Sequence, residues 1–154
     1  MNILATQYTL STKSLEIYVA GCNGQPHCKN CHNPVSWRFD LGEQYNRDYF
    51  EKNIKNKVTE FDSLIKNIMI FGGEPLDQDI NELTKMLKDI TELNLPVWIF
   101  TRYDINDIDD SVKQYCDYIK CGRYIEELRT DDNIQYGIKL ATSNQHIYKK
   151  GEDY

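Results

Sequence analysis

The sequence predicts an α/β fold: an incomplete TIM-like barrel of parallel strands with crossover helices. Short apolar segments of strand length alternate with longer segments whose apolar residues recur at helical spacing. Strand, helix, strand order implies parallel strands joined by right-handed crossovers. The chain has 154 residues, whereas a complete eight-stranded barrel needs about 250. We therefore expect one domain over residues 1–154, built as a partial barrel or, as the alternative, a small open sheet.

The first half of the chain predicts two strands before a helix. Residues Leu15–Ala20 alternate apolar and polar side chains, which is typical of a strand, and residues 3–9 are a candidate partner strand. A helix is expected over residues 46–61, because four apolar residues recur there at helical spacing: Phe50, Ile54, Val58 and Phe61.

The second half predicts three further strands separated by helices. Residues 67–71 form a short apolar run followed by two glycines, as in a buried parallel strand. Asp77 or Asp79 can cap the next helix, which Asn94 and Pro96 end. Residues 97–100 predict a third strand, and residues 115–120 predict a fourth after a short acidic helix.

Composition limits the class of protein. The net charge of -6 argues against a nucleic-acid surface, which needs clustered Lys and Arg. No apolar run approaches the ~20 residues that span a bilayer, and residues 1–10 lack the pattern of a signal peptide. We expect a cytoplasmic protein, in which closely spaced cysteines indicate metal binding or catalysis more than disulfides.

Three cysteines, Cys22, Cys28 and Cys31, lie within ten residues just after the first strand. Three thiolates are one short of the four that close a structural zinc site or saturate a cubane cluster, which favours a centre with one open coordination position. Two alternatives remain open from spacing alone. His27 or His32 can complete a structural zinc site, or a second pair of cysteines can close it, although Cys116 and Cys121 have the pattern of core residues.

The other unusual residues also follow the carboxyl ends of predicted strands. In parallel α/β folds those ends meet on one face, where ligands bind, so we expect one pocket. Its predicted parts are Cys22, Gly72–Pro75, Thr101–Tyr103 and Gly122–Tyr124. The glycines bring backbone close to a ligand, Glu74 offers a carboxylate acceptor and Pro75 stiffens the loop, features that suit an ammonium group. Arg102 and Arg123 are expected to be solvated, while Trp37 and Tyr103 are packing residues or stack on a nucleobase.

Several segments resemble a known family. The cysteine loop with His32, Asn33 and Trp37, together with Gly72-Gly-Glu-Pro-Leu76, is similar to the cluster loop and methionine-binding loop of radical S-adenosylmethionine enzymes. Within that superfamily the chain resembles the activating proteins of anaerobic (class III) ribonucleoside-triphosphate reductases. Residues 98–103 also resemble a strand of that family, and two segments point to it more narrowly: residues 117–128, and residues 142–145 with the sequence Thr-Ser-Asn-Gln. The chain departs from the family in placing five residues between Cys22 and Cys28, where three are usual, and in having Arg102 in place of a glycine.

The resemblance implies a cofactor, a reaction and partners. Cys22, Cys28 and Cys31 would bind a [4Fe-4S] cluster, and S-adenosylmethionine would be bound by seven residues: Gly72, Gly73, Glu74, Pro75, Asn30, Thr101 and Tyr103. Reductive cleavage of that cofactor would give a 5'-deoxyadenosyl radical, which generates a glycyl radical on an anaerobic ribonucleotide reductase. A low-potential donor such as flavodoxin or ferredoxin would supply the electron.

Other functions remain open at this stage. Within the superfamily, the chain is alternatively an activase of another glycyl-radical enzyme or a small-molecule enzyme such as a deazaguanine synthase. A noncatalytic zinc-binding module that recruits a partner is the alternative of a different class.

Overall fold

The computed structural model describes residues 1–154 and is built around a mixed seven-stranded sheet. Its strands are β1 (Asn2–Thr9), β2 (Ser14–Val19), β3 (Glu43–Gln44), β4 (Asn67–Gly72), β5 (Val97–Phe100), β6 (Tyr118–Cys121) and β9 (His146–Lys149). The spatial order is β3-β1-β2-β4-β5-β6-β9. A separate two-stranded ribbon, β7 (Ile134–Gln135) with β8 (Ile138–Lys139), lies between β6 and β9 in the chain. No helix is long and apolar enough to span a membrane.

Four strands in the middle of the sheet are parallel. β2 pairs with β4, β4 with β5, and β5 with β6 in parallel register. These are the four strands that the apolar segments predict, and the expected upstream partner is β1, which pairs with β2 in antiparallel register. The four parallel strands end on the same edge of the sheet, and this edge carries the functional residues considered below.

The helices pack against one face of the sheet. The predicted helix over residues 46–61 is a helical segment whose middle, Phe50–Lys55, has π-helical register between α1 (Arg47–Tyr49) and α2 (Asn56–Phe61). Helix α3 (Ile80–Thr91) begins at the Asp79 cap, whose carboxylate accepts two backbone N–H bonds, and α4 (Asp110–Lys113) is a single turn. Ile68, Ile70 and Ile99 point from the sheet into the main core, which also contains Leu83 and Leu87 of α3.

The opposite face carries a smaller cluster. Met69 and Trp98, which alternate with those core isoleucines, pack there with Leu140 and Ile147. Phe71 stacks between Tyr18 and Phe100, with ring centroids 5.7 and 4.1 Å away. The face without helices is therefore aromatic and covered only in part, by the segment that leads to β9.

The prediction of a partial TIM-like barrel is wrong. The sheet is mixed, with antiparallel pairs at both sides: β1 pairs antiparallel with β2 and with β3, and β9 pairs antiparallel with β6. After β6 the chain does not form a further crossover helix; it passes through β7 and β8 and returns as β9. Because β9 takes the backbone groups of β6 that another parallel strand would need, the parallel series stops at four strands.

Candidate functional site

A cavity of about 190 Å³ lies at the carboxyl ends of the parallel strands. Loops that follow β2, β4, β5 and β6 all contribute to its wall, as the placement of the unusual residues predicts. The predicted residues that line it are Cys22, Cys28, Cys31, Gly73, Glu74, Thr101, Arg102, Gly122 and Tyr124, and they are joined there by Ser36, Trp37, Phe100, Lys120 and Gln145.

Hydrogen bonds fix the base of the cysteine loop, which we define as Gly21 and Cys22 on one side and Ser36 and Trp37 on the other. Gly21 donates its N–H to the Ser36 carbonyl at 2.7 Å, and Cys22 donates to the Trp37 carbonyl at 3.2 Å, so both ends of the loop are tied to each other. Gly21 has φ of 104°, a conformation that glycine adopts without steric cost. The three thiols are free and partly exposed. Burial, more than any nearby charge, raises the pKa of the Cys22 thiol.

The loop after β4 packs against that base without a gap. Gly73 donates its N–H to the Val19 carbonyl at 2.9 Å, and Glu74 donates to the Gly21 carbonyl at 2.7 Å. A Cβ at Gly73 would collide with the Gly21 carbonyl and would lie 2.5 Å from the Ser36 carbonyl oxygen. Gly73 is therefore required for the close approach of the β4 loop to the cysteine loop, a more specific reason than the turn conformation that a glycine pair indicates.

The Glu74 carboxylate is hydrogen-bonded to other groups of the protein. The residue is 3 % exposed, and its carboxylate accepts from the Thr101 hydroxyl at 2.6 Å, from the Arg102 N–H at 2.8 Å and from the Leu76 N–H at 3.1 Å. Burial raises the pKa of this carboxyl, while those three bonds act in the opposite direction. Glu74 thus joins the ends of β4 and β5, and it holds the N–H of Arg102 and the hydroxyl of Thr101 in place at the cavity wall.

Arg102 is not the solvated side chain that was expected. Its Nη2 donates to both oxygens of Asp77, at 2.9 and 3.2 Å, and its guanidinium lies 4.3 Å from the centroid of the Tyr103 ring. The Nε atom is buried without a hydrogen-bond partner and lies 3.9 Å from a Glu74 oxygen. The Tyr103 hydroxyl donates to Asp77 at 2.7 Å. These residues form one polar network at the edge of the cavity.

Lys120 adds a partly buried cation that the sequence reasoning missed. It lies in β6, lines this cavity and also lines a second, apolar cavity of about 290 Å³ beside it. Its ammonium donates to the Gly122 carbonyl at 2.8 Å, and burial lowers its pKa to about 8, against the opposing effect of Glu74. A lysine in an otherwise apolar strand, near that strand's carboxyl end, is the signal that could have identified it.

The two histidines near the cysteines are placed away from the cavity. The His27 ring stacks on Trp37, with centroids 4.0 Å apart, and its Nε2 is 3.1 Å from the Cys22 carbonyl oxygen. His32 is exposed and borders a neighbouring hollow instead. Trp37 is thus occupied by a histidine of the same loop. Neither ring is arranged as the fourth ligand that the structural zinc alternative requires.

The remaining cysteines and predicted ligands lie outside the cavity. Cys116 and Cys121 belong to the main core, and burial raises the pKa of each thiol to about 12. Of the residues predicted to bind the cofactor, Asn30 borders the neighbouring hollow, and Pro75 is buried at the start of a 3-10 turn. Gly72 ends β4 with φ of 126°, and the Tyr103 hydroxyl is bonded to Asp77.

The donor set suits a centre bound by thiolates. Three free cysteines from one loop share the cavity, and no fourth cysteine borders it. Soft thiolate ligands select zinc, Cu(I) or iron–sulfur clusters. No group of three or more Cys, His, Asp or Glu side chains has the arrangement that holds a single metal ion. In a cubane cluster each cysteine binds a different iron, so the cysteines that line this cavity fit such a cluster as its three protein ligands.

Comparison with known proteins gives two findings. The chain is similar to the anaerobic ribonucleoside-triphosphate reductase-activating protein of Haemophilus influenzae, with 25% identity over 139 residues that cover 86% of this chain and 85% of that protein. The profile of the 4Fe-4S single cluster domain family matches residues 13–148, a span that includes all three loop cysteines and every residue of the cavity wall. This match extends over most of the sequence and agrees with the thiol-rich cavity, and the chain therefore belongs to the 4Fe-4S single cluster domain family.

Proposed function

We propose that this chain is a radical S-adenosylmethionine activase that generates a glycyl radical on an anaerobic ribonucleotide reductase. The observation that carries the proposal is the shared cavity: three free thiols of one loop face the same space as the Gly73 backbone and the end of β5. Membership of a 4Fe-4S family supports the iron–sulfur cofactor, and the name of the Haemophilus influenzae relative supports the class of partner.

Cys22, Cys28 and Cys31 are the proposed cluster ligands. They leave one iron without a protein thiolate, because the other two cysteines of the chain are in the core. Together the cluster and S-adenosylmethionine supply reductive cleavage of the sulfonium to methionine and a 5'-deoxyadenosyl radical, which takes a hydrogen atom from a glycine of the partner. The electron would come from a low-potential donor such as flavodoxin or ferredoxin.

The protein's own contribution is to position the ligand and to supply a charge beside it. Gly73 lets the β4 loop approach the base of the cysteine loop, so a ligand on that loop lies beside the thiols. Glu74 fixes the hydroxyl of Thr101 and the N–H of Arg102, which keeps the wall of the cavity rigid. The Lys120 ammonium is a cation at the junction of the thiol-lined cavity and the apolar one. It can hold an anionic group of the ligand through a charge-assisted hydrogen bond.

Anaerobic reconstitution with iron and sulfide tests the proposal. We expect brown protein with about four irons per chain, cleavage of S-adenosylmethionine to methionine and 5'-deoxyadenosine when reductant is present, and a glycyl-radical signal after addition of the cognate anaerobic reductase. A colourless protein with one tightly bound zinc would contradict the radical reaction. Cofactor cleavage without a radical on the reductase would contradict the choice of partner while leaving the reaction class intact.

A further inference from the structure

The Asp77 carboxylate connects three parts of the site. It accepts the Asn23 N–H at 2.6 Å, the Tyr103 hydroxyl at 2.7 Å and the Arg102 guanidinium at 2.9 and 3.2 Å. Its side chain is 3 % exposed. Asn23 directly follows the first loop cysteine, Asp77 follows β4, and the other two residues follow β5. One buried anion thus joins the cysteine loop to two strand ends.

The first half of the cysteine loop has few other restraints. No backbone N–H of residues 23–28 donates to a backbone oxygen. On the far side of the loop, the Arg123 guanidinium donates to the Pro26 carbonyl. The loop backbone also packs on Arg102, since a Cβ at Gly24 would lie 3.8 Å from the Arg102 Nε and 3.4 Å from the Cys22 sulfur. The Cys22 N–H is bonded to the Trp37 carbonyl at the base of the loop, and the bond from Asn23 to Asp77 is the backbone anchor on the other side of Cys22.

Arg102 determines whether that anchor can exist. A buried carboxylate needs a paired cation, because an unpaired buried charge costs several kcal/mol. Arg102 is the cation that contacts Asp77, and its own position is set by the stacking on Tyr103. Without Arg102, Asp77 would turn towards water, and its hydrogen bond to the Asn23 N–H would weaken.

We propose that Arg102 is a positioning residue for the cysteine loop, which it holds through Asp77 so that Cys22 faces the cavity. The identity of the centre that the loop holds rests on the proposed function, but the positioning itself does not.

Hydrogen exchange on the full chain, kept anaerobic with reduced thiols, tests the positioning directly. In Arg102→Gln we expect the Asn23 amide to exchange about 10- to 100-fold faster than in wild type, as expected when a hydrogen bond to a charged group is lost. Arg102→Lys keeps the charge without the planar fork and should be intermediate. The matched control is Arg38→Gln, which breaks an arginine–aspartate pair with Asp40 that is exposed on both sides, and it should leave the Asn23 amide unchanged.

Two further measurements separate a local effect from a global one: exchange of the Ile70 amide in β4, and the rate at which reconstituted protein loses iron. Equal acceleration at Asn23 and Ile70 in Arg102→Gln would mean that Arg102 stabilises the whole fold, and an unchanged Asn23 amide would mean that it holds nothing; both results overturn the proposal. In reconstituted protein, Arg102→Gln should lose iron to a chelator about tenfold faster than Arg38→Gln. Equal iron loss would overturn the link to Cys22. Failure of the wild type to bind iron would instead overturn the proposed function alone.

Discussion

Replacement of Gly73 by alanine tests whether the close approach of the two loops sets the site. The added Cβ would meet backbone on two sides, with the Ser36 carbonyl oxygen at 2.5 Å and the Gly21 carbonyl nearer still. Both neighbours are main-chain atoms at the base of the cysteine loop, so no side chain can rotate to make room. The same substitution at Gly24 meets its nearest atom, the Cys22 sulfur, at 3.4 Å, which is an ordinary contact. Gly24→Ala is therefore the matched control.

The size of the effect follows from the clash. Overpacking by one methyl against backbone that must move costs about 1–3 kcal/mol in the free energy of unfolding. Any Gly→Ala change also lowers the chain entropy of the unfolded state, which stabilises the protein by about 0.4–1 kcal/mol and offsets part of this cost. At Gly24 the same stabilisation applies, but there is no clash. For a chain of this size about 1 kcal/mol corresponds to about 2–4 °C in Tm. Gly73→Ala should thus melt several degrees below Gly24→Ala.

Thermal unfolding followed by circular dichroism, with iron content after anaerobic reconstitution as the second measurement, checks this prediction. Gly73→Ala should melt lower and bind less iron, because the displaced backbone belongs to Gly21, the residue before Cys22. Gly24→Ala should bind as much iron as wild type and melt about 1–4 °C above it, because the entropic gain is not offset by a clash. If Gly73→Ala had the Tm and the iron content of Gly24→Ala, the close packing of the β4 loop on the cysteine loop would not matter for stability or for the cluster.

Three further predictions concern the cysteines and the buried charges. Cys28→Ala should abolish iron binding, whereas Cys116→Ala and Cys121→Ala should retain it, and iron retained by Cys28→Ala would contradict the choice of ligands. Burial holds the pKa of Glu74 above its ordinary value of 4.5, so the folded state keeps its proton to higher pH and the free energy of unfolding should fall as pH rises above 4.5. Urea titrations should show that Glu74→Gln lacks this fall, and an identical slope in the variant would refute the assignment. Lys120 has a pKa lowered from 10.5 to about 8, so the wild-type free energy of unfolding should rise between these values. Lys120→Met should lack that rise, and its free energy of unfolding at pH 7 should exceed that of wild type by up to about 3 kcal/mol. A variant less stable than wild type at pH 7 would show that the ammonium is stabilising.

The central strands could be predicted because their signals are local. Residues 97–100 were predicted as a strand and form β5, and the apolar run before the two glycines forms β4. A buried parallel strand needs a continuous apolar run, which is visible in the sequence without knowledge of its neighbours. The same is true of α3, because its cap and its apolar face both lie within the segment.

The architecture could not be predicted in the same way, because it depends on pairing between distant segments. Residues His146–Lys149 contain Ile147 and Tyr148, two residue types that favour strands, but nothing local indicates that β9 pairs antiparallel with β6. The right-handed crossover rule describes how consecutive parallel strands are connected, and it says nothing about a strand that pairs antiparallel. The end of the parallel series therefore had to come from the structure.

The candidate site, like the fold, could be predicted only in part from the sequence. The order of strands predicted that the cysteines, Gly73 and Thr101 would meet, since carboxyl ends of parallel strands share an edge. The hydrogen bonds of Glu74 within the protein and the ion pair of Arg102 were not predicted, because each depends on side-chain partners from another loop. Charged residues are exposed on average, so an arginine is predicted to be solvated. Only the structure shows that Arg102 has Asp77 as a partner and departs from this average.

Both outer strands of the sheet are short and polar. β3 consists of Glu43 and Gln44, and β9 carries Lys149 at its end, followed by Lys150. Long apolar outer strands would offer free N–H and C=O groups to other chains, and charged short ones discourage such pairing. Removal of the residues from His146 onward would instead leave β6, with the buried Ile119 at its centre, as an open edge. Such a truncated chain would face aggregation through strand pairing before any question of cofactor loading arises.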